Sequence, residues 1–164
     1  MPRHPVPPRL DAKDRRILQL VQRDASLSQG AVARKVGLST AAVHERLKKL
    51  ERAGVIRRWT ALVKPAAVGV TVTAFIEVFF EHPRFEAGFI ERVQKLDEVQ
   101  EVHHITGEFS LLLKARTRGM DALQQLLLEQ LSSHEGVRQT RTVMVLSTVK
   151  EETFVDPLPK GGDA

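Results

Sequence analysis

The spacing of apolar residues changes character after the first third of the chain. Up to residue 56 they recur every three or four positions, the period of an amphipathic helix. Three such segments follow residues that can cap a helix, and they predict helices over about 11–24, 28–36 and 39–53. Gly37 and Gly54 are placed to end the second and third helices. The predicted core of these helices comprises Ile17, Leu18, Val21, Val32, Val36, Val43, Leu47 and Leu50.

Beyond residue 70, runs rich in β-branched and aromatic residues alternate with helical patterns. Gly107 and Glu108 separate two of these runs and predict a tight hairpin turn. The resulting βαββαβ order is that of a ferredoxin-like α+β sandwich. The predicted elements are a strand over 71–81, a helix over 84–96, strands over 99–106 and 109–116, a helix that Asp121 caps and Gly136 closes, and a strand over 137–149.

Charge divides the chain in the same place. Residues 1–64 contain 15 Lys and Arg against 5 Asp and Glu, whereas residues 65–164 contain 10 against 15. Opposite balances predict two domains with different partners, and the basic half is suited to neutralising phosphates. The predicted organisation is a proline-rich flexible arm at 1–10, a helix-turn-helix domain at 11–60, a hinge at 61–70, an αβ sandwich at 71–152 and a tail at 153–164, which we expect to be loose from Asp156.

Several classes of protein are excluded. The chain has no cysteine, which excludes disulfides, thiol catalysis, iron–sulfur clusters and cysteine zinc sites, and which fits a cytoplasmic protein. The chain has no apolar run of about 18 residues, and its first ten residues lack the apolar stretch of a secretory leader, so we expect neither a spanning helix nor a secretory signal. Phosphate-binding glycine loops and serine nucleophile motifs are absent as well. His103 and His104 are adjacent on a predicted strand and face opposite ways, so we expect neither a metal nor a cofactor.

Three short helices with a glycine in the second turn form the pattern of a helix-turn-helix motif. Such a motif places one helix in the major groove, and the basic helix 39–53 suits that position. An ordinary solvated face of a three-helix bundle remains the alternative. The candidate DNA-binding residues are Ser39, Thr40, Ala41, His44, Glu45, Arg46, Lys48, Lys49, Arg52, Arg57 and Arg58.

These candidates have different expected roles. Arg46 and Lys49 are expected at phosphates, and the free backbone amides beside Ser39 can attract another. The small residues Thr40 and Ala41 can approach a thymine methyl group. His44 either donates to a base or faces water. Glu45 either accepts from cytosine or pairs with Lys49 one turn away, and the pair is the favoured interpretation.

Three stretches carry a family resemblance that covers the chain from about Leu10 to Glu152. The Lrp/AsnC (feast/famine) transcription regulators have a recognition helix and hinge that resemble VGLSTAAVHERLKKLERAGVIRRWTALV. Their ligand domain resembles VQEVHHITGEFSLLLKAR in its core and GVRQTRTVMVLSTVKE in its closing strand. The resemblance implies a winged helix-turn-helix domain joined to an αβ sandwich that dimerises, assembles further, for example to an octamer, and binds small amino acids.

The candidate effector site departs from the family pattern, and the departure that matters is Ser110, which stands where the family has its second acid. The family usually has Gly-Asp-(Tyr or Phe)-Asp where this chain has Gly107, Glu108, Phe109 and Ser110. Glu108 is expected to hold an ammonium group, and Ser110 with backbone amides a carboxylate, in a crevice between subunits. The alternative is a plain hairpin turn. The predicted ligand-binding residues are His104, Gly107, Glu108, Phe109, Ser110, Met120 and Asp121.

We therefore expect a sequence-specific DNA-binding regulator that is modulated by a small amino acid or related metabolite and is not an enzyme. An enzyme similar to the sirohaem decarboxylases and an assembly module without DNA binding are the alternatives. One four-stranded sheet leaves a face and edges to cover, which predicts a homodimer on a pseudo-palindromic site. The candidate covering residues, some of which must instead fill the core of the monomer, are Phe75, Val78, Phe79, Leu111 and Leu113.

Overall fold

The structure is a computed structural model that describes residues 8–158. It divides into two units: one comprises the chain up to Ala61 together with the segment from Glu151 onward, and the other is Leu62–Lys150. Most of the predicted arm at 1–10 lies outside the described residues.

The first unit is built on three helices, each of which begins at a capping side chain. Asp11 accepts from the Asp14 amide and Asp14 from the Asp11 amide, a reciprocal capping box. Ser28 and Ser39 cap the next two helices, and Gly37 ends the second with a left-handed backbone at φ 66°. The predicted helices are confirmed as α1 (Ala12–Arg23), α2 (Gln29–Val36) and α3 (Thr40–Arg52). Their predicted core residues are all buried.

The C-terminal segment is not loose where the structure describes it. Gln22 on α1 exchanges two hydrogen bonds with the Val155 backbone, at 2.9 and 3.0 Å. Arg15 donates to the Pro157 carbonyl at 2.7 Å, and the Arg23 guanidinium lies 5.2 Å from the centre of the Phe154 ring. Phe154–Pro157 therefore packs along α1, which corrects the expectation that the tail is loose from Asp156.

The second unit is one antiparallel sheet of four strands with helices on one face. The strand order is β2-β3-β1-β4, as expected for a ferredoxin-like βαββαβ sandwich. Short 3₁₀ turns precede β1 and α4, and a π-helical segment, Leu126–Leu131, continues α5. The elements are β1 (Val72–Phe80), α4 (Glu86–Val93), β2 (Val99–His104), β3 (Leu111–Thr117), α5 (Met120–Gln125) and β4 (Val137–Met144).

The two faces of the sheet have different surroundings. Side chains that alternate along β1 and β3, among them Val78, Leu111 and Leu113, are fully buried with α4 and α5. They form the core of the unit, which was expected for some of the five candidate covering residues, and they are therefore not available for an intersubunit contact. Phe75 and Phe79 alternate with the core residues of β1 and are only partly buried, which places them on the other face. We call this second surface the open face.

Three boundaries differ from the predictions. The β2–β3 connection is not a tight turn at Gly107–Glu108, because the strands end at His104 and restart at Leu111. Asp121 lies in the first turn of α5, while Gly119 occupies the N-cap position. The last strand ends at Met144 rather than near residue 149, although Val145 still donates to Thr73 at 2.9 Å.

Gly136 joins the helical layer to β4 and has no room for a side chain. Its φ is 81°, and an added Cβ would lie 2.1 Å from Phe85 Cγ. Its carbonyl accepts from the Glu81 amide at 2.8 Å. The preceding helical segment already ends at Leu131, so the prediction that Gly136 closes that helix is wrong. Gly136 instead leads the chain into β4, where the left-handed backbone and the close approach of an aromatic ring both favour glycine.

Candidate functional site

Helix α3 presents one buried seam and one exposed stripe. Val43, Leu47 and Leu50 are buried against the other helices. Helical spacing then directs the residues between them outward, where most of the predicted DNA-binding side chains are found. The exposed candidates are Ser39, Thr40, Ala41, Glu45, Lys48, Lys49, Arg52, Arg57 and Arg58. The Ser39 hydroxyl oxygen also accepts from the Ala42 amide at 3.2 Å as the helix cap.

Arg46 is held by acidic residues of α1. Its Nη1 atom lies 2.6 Å from a carboxylate oxygen of Asp11 and 2.6 Å from one of Asp14. The Asp14 side chain is 1% exposed, so the guanidinium neutralises a carboxylate that the fold has buried. These hydrogen bonds, first to Asp11 and then to Asp14, raise the pKa of Arg46. Arg46 thus joins α3 to the capping box of α1.

His44 and Glu45 both have surroundings that the sequence did not indicate. His44 Nδ1 lies 3.2 Å from the Gln29 side-chain oxygen, which links α3 to the start of α2. The expected ion pair between Glu45 and Lys49 is not formed in residues 8–158, so that interpretation is wrong. Both residues instead line an open groove of about 460 Å³ beside α3. The groove is completed by Asp11, Ala42, Arg46 and Arg52.

The segment after α3 carries the single tryptophan of the chain. Trp59 Nε1 donates to Glu51 on α3 at 2.6 Å, and its side chain is 45% exposed. Arg57 and Arg58 precede it and are exposed. Sequence reasoning missed this contact, because nothing in the spacing of Glu51 and Trp59 marks them as partners.

In the second unit the predicted effector residues lie in the loop between β2 and β3. Gly107 has φ 115°, a backbone conformation that favours glycine. Ile105 donates to the Ser110 carbonyl at 3.1 Å, and Ser110 donates to the Val78 carbonyl at 3.0 Å. The Ser110 amide is therefore committed to the sheet and is not available to a carboxylate, while the expected role of the Ser110 side chain stays a prediction.

Phe109 brings two further residues to this loop. Its ring is 6% exposed, and the Arg141 guanidinium lies 4.9 Å from the ring centre. Arg141 on β4 is directly opposite Glu77 on β1, and its Nε donates to the Glu77 carboxylate. This hydrogen bond, with smaller contributions from the charges of Glu77 and Glu108, raises the pKa of Arg141. Only the strand register shows that Glu77 and Arg141 belong beside the loop.

The remaining predicted effector residues lie elsewhere in the protomer. His104 aligns with the core residue Leu111, and its ring lies 3.6 Å from Glu86 on α4, so it belongs to the helix-covered face. Met120 and Asp121 begin α5 after the far end of β3. Seven residues of β3 span roughly 20 Å, so these residues and the loop do not meet within one chain.

Comparison with known protein families covers both units. Residues 10–57 match the model described as a winged helix-turn-helix DNA-binding domain. Residues 73–155 match that of the Lrp/AsnC ligand-binding domain. The chain belongs to the Lrp/AsnC family of transcriptional regulators. This confirms the resemblance and the α+β fold of the Lrp/AsnC type.

Curated relatives of the family align over nearly the whole chain. The leucine-responsive regulatory protein of Escherichia coli strain K12 is 39% identical over 144 residues, which cover 87% of this chain and 88% of the relative. The HTH-type transcriptional regulator FL11 of Pyrococcus abyssi is 36% identical over 144 residues, 88% of this chain and 94% of the relative. The chain is accordingly a DNA-binding transcriptional regulator of the Lrp/AsnC family.

Solved structures agree with this assignment. A transcriptional regulator of Neisseria meningitidis, crystallised as a complex with L-Met, has a TM-score of 0.83 at 34% identity and covers 92% of this chain and 97% of its own. The AsnC structure of E. coli has a TM-score of 0.82 at 28% identity, covering 88% and 97%. None of the helices in residues 8–158 has the length and apolar character needed to cross a bilayer.

Proposed function

We propose that the exposed stripe of α3 reads the major groove and that Arg57 and Arg58 contact the adjoining backbone. This proposal rests on the observation that three cations of α3 have no protein partner among the described residues. Within residues 8–158, Lys48, Lys49 and Arg52 form neither a hydrogen bond nor an ion pair with the protein. They are exposed and unneutralised, so phosphates can replace their counterions. Arg46, in contrast, has its charge neutralised by Asp11 and Asp14.

The proposal is tested with the DNA upstream of the protein's own gene. Fluorescence anisotropy at a series of salt concentrations gives the dependence of the binding constant on salt, whose slope changes by about 0.9 per phosphate contact. Binding that is weak and independent of DNA sequence and salt would contradict a role of α3 in recognition.

We propose that a small amino acid is the effector and that the second unit binds it at Gly107–Ser110. The similarity to the Neisseria regulator that was crystallised with L-Met supports this class of ligand. The glycine at φ 115° and the exposed carboxylate of Glu108 support the location. At a hundredfold excess over the dissociation constant, ligand binding should add about 2.7 kcal/mol of stability. A thermal-shift screen of the twenty amino acids, followed by DNA titration with each ligand found, tests the effector.

We also propose that the regulator works as a homodimer or a higher oligomer. The open face carries apolar side chains that no helix covers, including Phe75, Phe79 and Val143, and Val143 is 50% exposed. Moreover, Met120 and the Gly107 loop can belong to one effector site only if two chains contribute them, since a strand length separates them in one protomer. Two paired recognition helices would then read a pseudo-palindromic site.

Sedimentation measures the oligomeric state and so tests this proposal. Phe75→Glu should lower the oligomeric state, because it puts a charge on a face that a second copy buries. Leu128→Glu is the matched control, since Leu128 is 59% exposed but lies in the helical layer. A wild-type monomer at micromolar concentration would contradict the proposal.

Acting on chromosomal DNA, the protein would work in the cytoplasm, and we assign it no catalytic role.

A further inference from the structure

Arg141 is held in one orientation although it lies on the surface. Its side chain is 59% exposed, whereas the Glu77 side chain that it contacts is 16% exposed. The Phe109 ring supports one side of the guanidinium, and the Glu77 carboxylate fixes its Nε edge. An arginine stacked on an aromatic ring and hydrogen bonded at Nε loses little freedom when its terminal nitrogens bind a further group.

The terminal nitrogens are available for such a group. Within residues 8–158 the guanidinium donates one hydrogen bond, from Nε, and β4 is an edge strand of the sheet. Two terminal N–H groups in one plane match the two oxygens of a carboxylate. Arg141 therefore has the geometry of a carboxylate receptor at the β4 edge of the open face.

Glu108 supplies the opposite charge close by. It directly precedes Phe109, whose ring centre lies 4.9 Å from the Arg141 guanidinium, and its charge contributes to raising the pKa of Arg141. The two residues form no ion pair with each other among the described residues. Glu108 is exposed, and no protein donor within residues 8–158 contacts it. A cation and an anion are thus close enough to interact but remain separated, and a ligand that carries both charges can bridge them.

We propose that Arg141 binds the carboxylate and Glu108 the ammonium group of the same α-amino acid. This deepens the proposed effector site and rests on it. It also reassigns the carboxylate position from Ser110, whose amide donates to Val78, to Arg141 on β4. Because residue 110 is a serine, the loop has no second carboxylate next to Phe109. Among the loop residues 105–110, Glu108 is the one acidic residue that can interact with Arg141.

The test compares amino acids with their carboxamides, which keep the ammonium group but lose the carboxylate charge. The full-length protein is screened against the twenty standard L-amino acids, and the one that raises the melting temperature most is titrated by calorimetry together with its carboxamide. Wild type should bind the acid about 10- to 100-fold more tightly than the amide, the range expected for a charge-assisted hydrogen bond.

In Arg141→Gln the ratio of the affinity for the acid to that for the amide should fall to nearly 1, because neither ligand then has a cationic partner. Arg138→Gln is the matched control: it removes the same charge from an exposed position of the same strand and should keep the preference. Ser110→Asp should weaken acid binding by about tenfold, because a new carboxylate competes for Arg141. A merely structural role of Arg141 would weaken acid and amide alike and leave their ratio unchanged.

Two results would overturn the inference. An acid-to-amide ratio in Arg141→Gln equal to that of wild type would show that another group binds the carboxylate. A failure of all twenty amino acids to bind would remove the effector itself, and the salt-dependent DNA binding measured in parallel would show whether the regulator function stands without it. Glu108→Gln completes the assignment, since it should abolish the preference for the amino acid over its des-amino analogue and spare the preference for acid over amide.

Discussion

The two units use their charged residues in different ways. On α3 the cations Lys48, Lys49 and Arg52 have no protein partner within residues 8–158, whereas on the sheet Arg141 is oriented by Glu77 and Phe109. Free cations on a helix suit a long polyanion, because each contact adds affinity through counterion release without demanding one geometry. A fixed guanidinium suits a small ligand, for which orientation decides affinity. Charge alone therefore indicates the first partner, whereas geometry is needed for the second.

Arg46 is the exception that sharpens this contrast. It lies among the free cations in sequence but is neutralised by two carboxylates in the fold. The sequence offered no way to see this, since 32 residues separate Arg46 from Asp14.

The largest expected effect is a loss of stability, and it is measured by comparing alanine substitutions at two glycines, one in each unit. Gly136→Ala should destabilise the second unit by about 3 kcal/mol, because the backbone is left-handed and the new Cβ would collide with Phe85. Gly54→Ala is the matched control in the first unit: its φ of 69° is similar, but nothing lies within 4 Å of the added Cβ, so about 1 kcal/mol is expected.

Circular dichroism follows the unfolding of both units, and the fluorescence of Trp59 reports on the first unit, which contains it. Equal losses of stability in the two variants would show that backbone strain alone decides both positions and that Phe85 moves aside.

These glycines show how far local patterns lead. Helix ends at Gly37 and Gly54 could be predicted, because capping and helical periodicity act within a few residues. The packing of Phe85 on Gly136 could not be predicted, since the two residues are 51 positions apart in the sequence and meet only through the packing of the helical layer on the sheet. The same limit applies to the sites: the exposed stripe of α3 follows from helical period, whereas Glu77 and Arg141 meet only through the register of β1 and β4.

The second expected effect concerns Arg46. Arg46→Met should destabilise the first unit by about 2 kcal/mol, less than for a fully buried ion pair because the arginine is 29% exposed. Asp14→Asn should cost a similar amount, and the double variant less than the sum. Trp59 fluorescence in urea measures the losses. Well below the melting temperature, the salt dependence of DNA binding should not change in Arg46→Met; a slope reduced by about 0.9 would instead make Arg46 a phosphate contact.

The third prediction tests whether the C-terminal segment stabilises the unit on which it packs. Phe154→Ala should lower the stability of the first unit by about 1 kcal/mol, because the ring loses its contact with the Arg23 guanidinium. Val155→Ala is the control in the same segment, since its side chain is 71% exposed and its backbone hydrogen bonds to Gln22 are kept, so stability should change by a few tenths of a kcal/mol at most. Urea unfolding followed by Trp59 fluorescence distinguishes them, and identical midpoints would show that the segment adds nothing.

The fourth prediction concerns the free cations. Lys49→Ala should lower the salt slope of DNA binding by about 0.9 and weaken binding about threefold more at 50 mM than at 200 mM salt, with little change in stability. Lys95→Ala, an exposed lysine of the second unit, should change neither. If Lys49→Ala leaves the slope intact while the protein still binds specifically, Lys49 lies on a solvated face and the stripe that reads DNA is narrower than proposed.

The smallest expected effect is on the titration of Asp11, which distinguishes Arg46 from the free cations of α3 in the absence of DNA. The amide of Asp14, and after it the guanidinium of Arg46, hold the pKa of Asp11 below its ordinary value. Because the pKa in the folded state lies below that in the unfolded state, this stabilisation is complete above the unfolded value of about 3.9 and is lost as the pH falls through the folded one. In Arg46→Met the carboxyl shift of Asp11, followed by NMR, should titrate closer to the ordinary value, and acid unfolding of the first unit should begin at a slightly higher pH. In Lys49→Ala both curves should match wild type, since Lys49 makes no ion pair within residues 8–158. If Asp11 titrates identically in Arg46→Met and in wild type, the helix cap alone sets the pKa of Asp11. Arg46 would then be available to contact DNA, like Lys48, Lys49 and Arg52.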